Sequence, residues 1–176
     1  AIPNEQKQFI LLQRLSTLVK AGEELMKNGY YASEEFLEVF EFPMVVGNRE
    51  TVMKDPSSIV ISEELAKALF KEEDPIGKFL KVDDESTLQV TGVFKDVPEN
   101  STFQFDYLIP WKHREAVQQW VVDNKTNWGN YSFQVYVELN AEADKLEVEE
   151  SIKDMLEDKG EDDIERAFFL HPMSRW

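Results

Sequence analysis

Cysteine is missing from all 176 residues. That excludes a disulfide framework, a thiol nucleophile and any cysteine-based metal site. It is compatible with an oxidising compartment without identifying one. Basic residues are also scarce: 19 Lys and Arg face 35 Asp and Glu, a formal net charge of −16. Such a chain is a poor partner for nucleic acid, whose phosphates need Lys and Arg, and for an anionic lipid surface. There are only two histidines, His113 and His171, and neither sits in an H-x-x-x-H or H-E-x-x-H frame. No apolar run reaches the ~18 residues that a membrane-spanning helix needs, and no signal peptide is evident. Internal repeats and low-complexity segments are absent too.

What is present is a well-patterned globular sequence. Its hydrophobic content of 42% is enough for a core, in one domain or two small subdomains. The stretch 57–98 organises the rest. Ile59, Val60 and Ile61 form a β-branched run suited to a buried strand. Ser62 follows as a helix N-cap, with Glu63 and Glu64 in the first turn at the positive end of the dipole. Leu65, Ala66, Leu69 and Phe70 then share one helix face. Asp74-Pro75-Ile76-Gly77 has the composition of a type I turn, with Gly77 at the fourth position. Strands at 78–82 and 87–94 come next, joined through Asp83-Asp84-Glu85-Ser86. In the second, Leu88, Val90, Gly92 and Phe94 alternate with polar or smaller neighbours, which predicts one buried face.

Around this unit the chain reads as follows. Residues 8–15 form an apolar run that predicts a buried strand. Residues 15–26 are ambiguous: Leu15, Leu18, Val19, Gly22, Leu25 and Met26 fit one helix face, yet a hairpin turning near Gly22 is the preferred alternative. A short helix is expected over 33–40, capped by Ser33 and ended by Pro43, with a turn at Gly47-Asn48. Phe103, Phe105, Tyr107 and Ile109 alternate as in a half-buried strand ending at Pro110. A helix is predicted over 112–122 and a polar boundary segment over 123–130. Tyr131, Phe133, Val135, Val137 and Leu139 give the cleanest alternation in the chain. A helix over about 144–159, stopped by Gly160, and a return strand at 167–170 complete a β-α-β unit.

The candidates for chemistry are weak. Gly77-Lys78 resembles the end of a phosphate loop, but Phe79 stands where Ser or Thr is required and Glu72 where the first Gly belongs. A turn glycine is the better reading. Asp83-Asp84-Glu85 and Glu161-Asp162-Asp163 lack the spaced calcium-loop pattern and read as solvated loop charge. No G-x-S-x-G elbow occurs, and acidity alone does not place a catalytic carboxylate pair. Trp111, Trp120, Trp128 and Trp176 could build a sugar platform, though aromatics at element ends more often pack. The triplets at Asn100 and Asn130 match a glycosylation signal that is frequent by chance. No catalytic, cofactor-binding or metal-binding set emerges, so no cofactor is expected.

One resemblance is specific. The ordered series Ile59-Val-Ile-Ser62, Ala66-x-x-Leu69-Phe70, Asp74-Pro75-Ile76-Gly77-Lys78 and Val90-Thr91-Gly92-Val93 resembles the MacB-like periplasmic core domain. Gly29-Tyr30-Tyr31, Phe36-x-x-Phe40-x-Phe42-Pro43 and Gly47 resemble the segment leading into it. That domain belongs to ABC-transporter permeases of the MacB/FtsX type. The resemblance implies an α+β fold, with a porter-like α/β subdomain from both chain ends (1–27 and 131–176) and an inserted, mainly β, Sabre-like subdomain (28–130). The family has another strand and helix ahead of this point, with no counterpart here, which bears on the completeness of the first subdomain. It further implies a non-catalytic domain on the periplasmic face of the bacterial inner membrane. Its partners would be the permease's own membrane helices, a separate ATP-binding subunit or domain, a permease dimer mate, and a periplasmic adaptor with an outer-membrane channel. In this set Ser62, Ala66, Leu69, Phe70, Asp74, Pro75, Ile76, Gly77 and Gly92 are structural motif residues. Two other classes stay open from the residues alone: an extracytoplasmic ligand- or carbohydrate-binding module, and a hydrolase with an acid/base pair.

Overall fold

The computed structural model describes residues 6–20, 24–125, 127, 132–155 and 167–175. Within them the order is β1 (Gln6–Lys20), β2 (Glu24–Ala32), α1 (Phe36–Val39), β3 (Met44–Val46), β4 (Ser58–Ser62) and α2 (Glu63–Phe70). Then come β5 (Phe79–Val82), β6 (Ser86–Phe94), β7 (Tyr107–Pro110), α3 (Trp111–Val117), α4 (Gln119–Asp123), β8 (Gln134–Leu139) and α5 (Lys145–Ile152). The fold is α+β.

All eight strands join one mixed sheet in the order β2-β7-β4-β6-β5-β1-β8, with β3 added to β6. Because β1 also pairs back onto β2, six of the strands close a ring. The ambiguous segment 15–26 is therefore a hairpin. Leu12 to Lys20 run antiparallel to Ala32 to Glu24, and the connecting turn at 21–23 lies outside the described residues. Strands β4 and β6 run parallel, as do β2 and β7; every other pair is antiparallel.

Each face of the ring carries its own core. Ile59, Ile61, Leu80, Val82, Leu88, Val90, Tyr107 and Ile109 lie on one face, closed over by Leu65 and Ala66 of α2. Val60 and Leu108, the residues between them, point to the other face. There they meet Phe36, Leu37, Phe94, Phe103 and Phe105. A strand with both faces covered has no polar side, and all five residues of β4 and all four of β7 are buried.

Several sequence expectations give way at this point. The alternation in β6 breaks. Ile59 pairs with Val90 but Val60 with Gly92, so Thr91 is an extra residue, a β-bulge. The bulge puts Val93 in the same core as Leu88 and Val90, while Phe94 enters the opposite one. The strand expected over 103–109 starts only at Tyr107, because the backbone at Asp106 bonds to Asn28 and Ser62 and switches faces between Phe105 and Tyr107. Helix α1 is shorter than 33–40 and its N-cap is Glu35 with no side-chain bond. Ser33 instead offers its carbonyl to the Phe36 N–H at 3.1 Å. The helix expected over 112–122 is two helices, broken at Gln118, whose φ of −133° and ψ of 95° are extended.

In β8 the alternation does not produce a buried stripe: Val135 is half exposed, and Tyr136 is the residue that packs on Phe40 and Phe103. Strand β8 lies at the end of the sheet, where among the described strands only β1 pairs with it. Helix α5 is capped by Asp144, whose carboxylate accepts from Leu146 and Glu147, and it buries Val148 and Ile152. The stop at Gly160 lies outside the described residues. Residues 167–170 form no strand. The Phe168 N–H goes to the Lys153 carbonyl and the Leu170 N–H to the Glu149 carboxylate, so α5 claims the donors a ladder would need.

Gly29 is fixed by close approach. A Cβ there would lie 2.3 to 2.6 Å from the ring of Tyr107, which is fully buried on the neighbouring strand. Gly29→Ala should cost about 1–3 kcal/mol, the usual penalty for overpacking a rigid core. Equilibrium urea denaturation checks this; a midpoint unchanged from the parent chain contradicts it.

Candidate functional site

The motif residues sit where α2 joins the ring. Ser62 caps α2: its hydroxyl oxygen accepts the Leu65 N–H at 3.1 Å. Ala66 is buried, and Leu69 and Phe70 pack half-buried against the same core. Lys67 and Glu63 add an exposed i,i+4 ion pair at 3.1 Å, which contributes only a few tenths of a kcal/mol, ~0.3–0.5. The Asp96 carboxylate accepts the Glu64 N–H at 2.7 Å. Gly92 sits beside the bulge, where a Cβ would be 2.8 Å from Val52 Cγ1 and 3.0 Å from Met44 Cε.

The turn after α2 is displaced by one residue from a type I turn at Asp74–Gly77. The Lys78 N–H donates to the Pro75 carbonyl at 3.2 Å, and Gly77, now third in the turn, has φ +81°. That is the position in a type II turn that demands glycine. The displacement follows from competing partners. The Asp74 carboxylate takes the Ile76 N–H at 3.0 Å, and the Val90 carbonyl of β6 takes the Gly77 N–H at 2.8 Å. Lys78 is not simply solvated: its ammonium pairs with Glu73 and stands 5.3 Å from the Phe70 ring centroid. No phosphate-cradling row of N–H groups is left in this turn.

One residue overlooked by sequence reasoning is Asp106. Its N–H donates to the Asn28 carbonyl and its carbonyl accepts from the Ser62 N–H, both at 2.7 Å. Its carboxylate accepts the Asn28 N–H at 3.0 Å and pairs with Lys27 at 3.1 Å. Burial alone would lower the Lys27 pKa, but the hydrogen bond and charge of Asp106, helped by Glu64, outweigh it and raise it.

A second cluster surrounds α3. His113 is buried, its Nε2 is 2.9 Å from Ser86 Oγ, and its ring stacks on Tyr31 at 6.5 Å. The Arg114 guanidinium lies over Tyr31 at 4.7 Å and over Trp120 at 5.5 Å. Burial lowers the His113 pKa, and a hydrogen bond with the Pro56 backbone only partly opposes that. Burial also raises the Tyr31 pKa against the pull of Arg114. A Ser–His contact of this length could suggest a nucleophile and base. Among the described residues no carboxylate orients the imidazole, which bonds to the Pro56 backbone instead, and the pair packs the β5–β6 hairpin against α3. Trp111 and Trp120 both engage Phe133, at 5.0 and 5.7 Å, and so contribute to packing. Trp128 and Trp176 lie outside the described residues, as does the 161–163 acidic run. His171 is exposed. Among the described residues no group of three or more His, Asp or Glu is arranged to hold a metal. No described helix is long and apolar enough to cross a membrane.

The cavity of most interest, about 500 Å³, opens beside β1 and β8 and is lined by Gln13, Arg14, Tyr30, Phe103, Gln134 and Tyr136 among others.

This architecture recurs in solved structures. A domain of a candidate permease protein from Porphyromonas gingivalis superposes with a TM-score of 0.76 at 23% identity, covering 98% of this chain and 81% of that one. The periplasmic region of MacB from Actinobacillus actinomycetemcomitans gives 0.64 at 17%, covering 90% and 70%. The extracellular domain of the ABC-type transporter YknZ from Gram-positive bacteria gives 0.64 at 15%, covering 96% and 83%. No curated protein sequence matches the chain. The fold is thus that of the extracytoplasmic regions of ABC-type permeases. The chain itself belongs to the MacB-like periplasmic core domain family, whose profile matches residues 9–155.

Two outcomes follow for the residues above. Around Gly77 a Cβ would meet nothing nearer than Gln89 Nε2 at 3.9 Å, so a substitution there is strained by φ alone. Gly77→Val should cost roughly 1–3 kcal/mol, while Lys78→Ala should leave the melting temperature nearly unchanged and neither variant should alter nucleotide titrations. An unshifted Gly77→Val melt contradicts the turn. For His113, the folded pKa lies below the ordinary value, so the unfolded chain binds the extra proton first. Stability should therefore fall as pH drops through the ordinary imidazole range of about 6.5 and level off below the folded pKa. The difference in melting temperature between parent and His113→Gln should shrink on going from pH 7.5 to 5. A pH-independent difference contradicts the assignment.

Proposed function

We propose that this chain is the non-catalytic extracytoplasmic domain of a MacB/FtsX-type ABC permease, facing the periplasm. It couples ATP hydrolysis by a separate cytoplasmic subunit or domain to conformational change and to partner or substrate handling, in efflux or export. The observation that carries the reading is how the motif residues are used. Ser62, Ala66, Leu69, Phe70, Gly77 and Gly92 serve a cap, a packed helix face, a turn and a close approach. A domain that transmits motion needs rigid elements with defined packing rather than reactive side chains.

In this reading 1–27 and 131–176 form the porter-like subdomain and 28–130 the Sabre-like insertion. The pairing of β8 with the first half of β1, outside the strand ring, supports that division. The permease functions as a dimer joined mainly by its membrane helices, working with a periplasmic adaptor and outer-membrane channel. The charge of −16 opposes self-association of this domain alone.

The test uses the full-length permease and its ATPase. Deleting this domain should leave ATP hydrolysis measurable while abolishing partner-dependent transport. The isolated chain should show no ATP turnover, no stoichiometric metal and monomeric sedimentation at low micromolar concentration. Transport that survives the deletion contradicts the coupling role, and turnover that co-purifies with the domain contradicts its non-catalytic character.

A further inference from the structure

Strand β1 has three partners among the described strands, and between two of them no described strand pairs with its edge. Leu12 pairs with both Ala32 of β2 and Gln134 of β8, and Val19 with both Leu25 of β2 and Val82 of β5. A residue with two partners uses both edges of its strand, so β8 and β5 share the edge that faces away from β2. Strand β8 covers it from Gln6 to Leu12, and β5 covers it at Val19 and Lys20. Between them, residues 13–18 have no ladder partner on that edge among the described strands. The gap is about 20 Å long at the ~3.3 Å rise of a strand. An unpaired edge of this kind is a template for an added strand.

The 500 Å³ cavity lies at one end of the gap. Gln13 and Arg14 both line it, although Gln13 stands opposite Tyr31 and Arg14 opposite Tyr30, on different faces of the hairpin. A cavity that reaches successive residues of one strand runs along the strand's edge. Its size is within the ~300–1,000 Å³ of ligand sites, and its lining mixes aromatic rings with a few polar groups. The Gln13 side-chain oxygen is buried and accepts no hydrogen bond, which leaves an acceptor turned away from water. Arg14 is exposed and forms no ion pair among the described residues. Among the described residues of the lining it is the only charged one. In a chain of net charge −16, a guanidinium in the lining gives a free carboxylate a local partner.

We infer that this edge binds an extended peptide strand that ends in a free carboxylate. The peptide's main chain continues the ladder along residues 13–18, and one of its N–H groups satisfies the Gln13 oxygen. The carboxylate pairs with Arg14, and an aromatic or long apolar side chain enters the cavity against Phe103 and Tyr30. The inference is independent of the permease reading, because it rests only on the edge and its cavity.

The probe is the peptide acetyl-Thr-Val-Thr-Val-Phe with a free C-terminus, titrated into the ¹⁵N-labelled chain. Its C-terminal amide and an alternately N-methylated analogue serve as comparisons. Saturable shifts are expected at the backbone amides of residues 13–18 and of Gln134. Amidation of the peptide, or Arg14→Glu in the protein, should each weaken binding about tenfold, the effect of one charge-assisted contact. The N-methylated analogue should not bind. No saturable shift, or shifts confined to other strand edges, overturns the proposal. So does equal binding of the N-methylated analogue, which would make the cavity a pocket for small apolar ligands. Affinity unchanged by both amidation and Arg14→Glu also overturns it.

Discussion

Asp106 is the junction on which the ring depends. In one residue, three segments distant in sequence are tied together: the middle of β2 at Lys27 and Asn28, the start of β7, and the end of β4 at Ser62, which caps α2. Leaving a single buried amide or carbonyl unpaired costs about 1–3 kcal/mol, and this residue pairs several at once. Its carboxylate also holds Lys27 charged despite burial. Without it, the parallel β2–β7 pair would start in an unsatisfied backbone, and α2 would lose the partner of its capping residue's N–H.

Two-sided burial explains most of the other local features. A sheet with a core on each face must keep its registers, because a slip by one residue exchanges the cores. The bulge at Thr91 performs such an exchange deliberately. It lets β6 feed Leu88 and Val90 to one core and Phe94 to the other. The extra residue is held in place: the Thr91 hydroxyl donates to the Val52 carbonyl at 2.6 Å, and Gly92 leaves room for Val52 and Met44. Gly29 plays the matching part on β2, where the Tyr107 ring occupies the space a side chain would need.

Sequence reasoning read α2 and its surroundings well because their determinants are local. Ser62 caps the helix that follows it by accepting an N–H three residues away, and the helix face follows a fixed period. It failed where the deciding partner is remote. The turn after α2 shifted because Val90, thirteen positions on from Gly77, claims the Gly77 N–H. Asp106 was invisible because its partners stand 78 and 79 positions earlier. The strand expected at 167–170 failed for the opposite reason, since a helix close in sequence captured its donors. The cavity at β1 rests on the gap between β8 and β5, which only the assembled pairing reveals.

The ring is not equally strong all round. Strands β1 and β2 are joined over nine residue pairs, but β1 and β5 over two. At ~0.5–1.5 kcal/mol net per hydrogen bond, opening the β1–β5 seam costs a small fraction of what separating the hairpin would. Among the described strands no ladder pair extends this seam along 13–18. The β1–β2 hairpin is thus a stiff lever joined to the rest of the ring over four residue pairs on the β7 side and two on the β5 side. A force on the N-terminal half of β1, where β8 is paired, would be carried along that lever and would strain the seam before it strained either core.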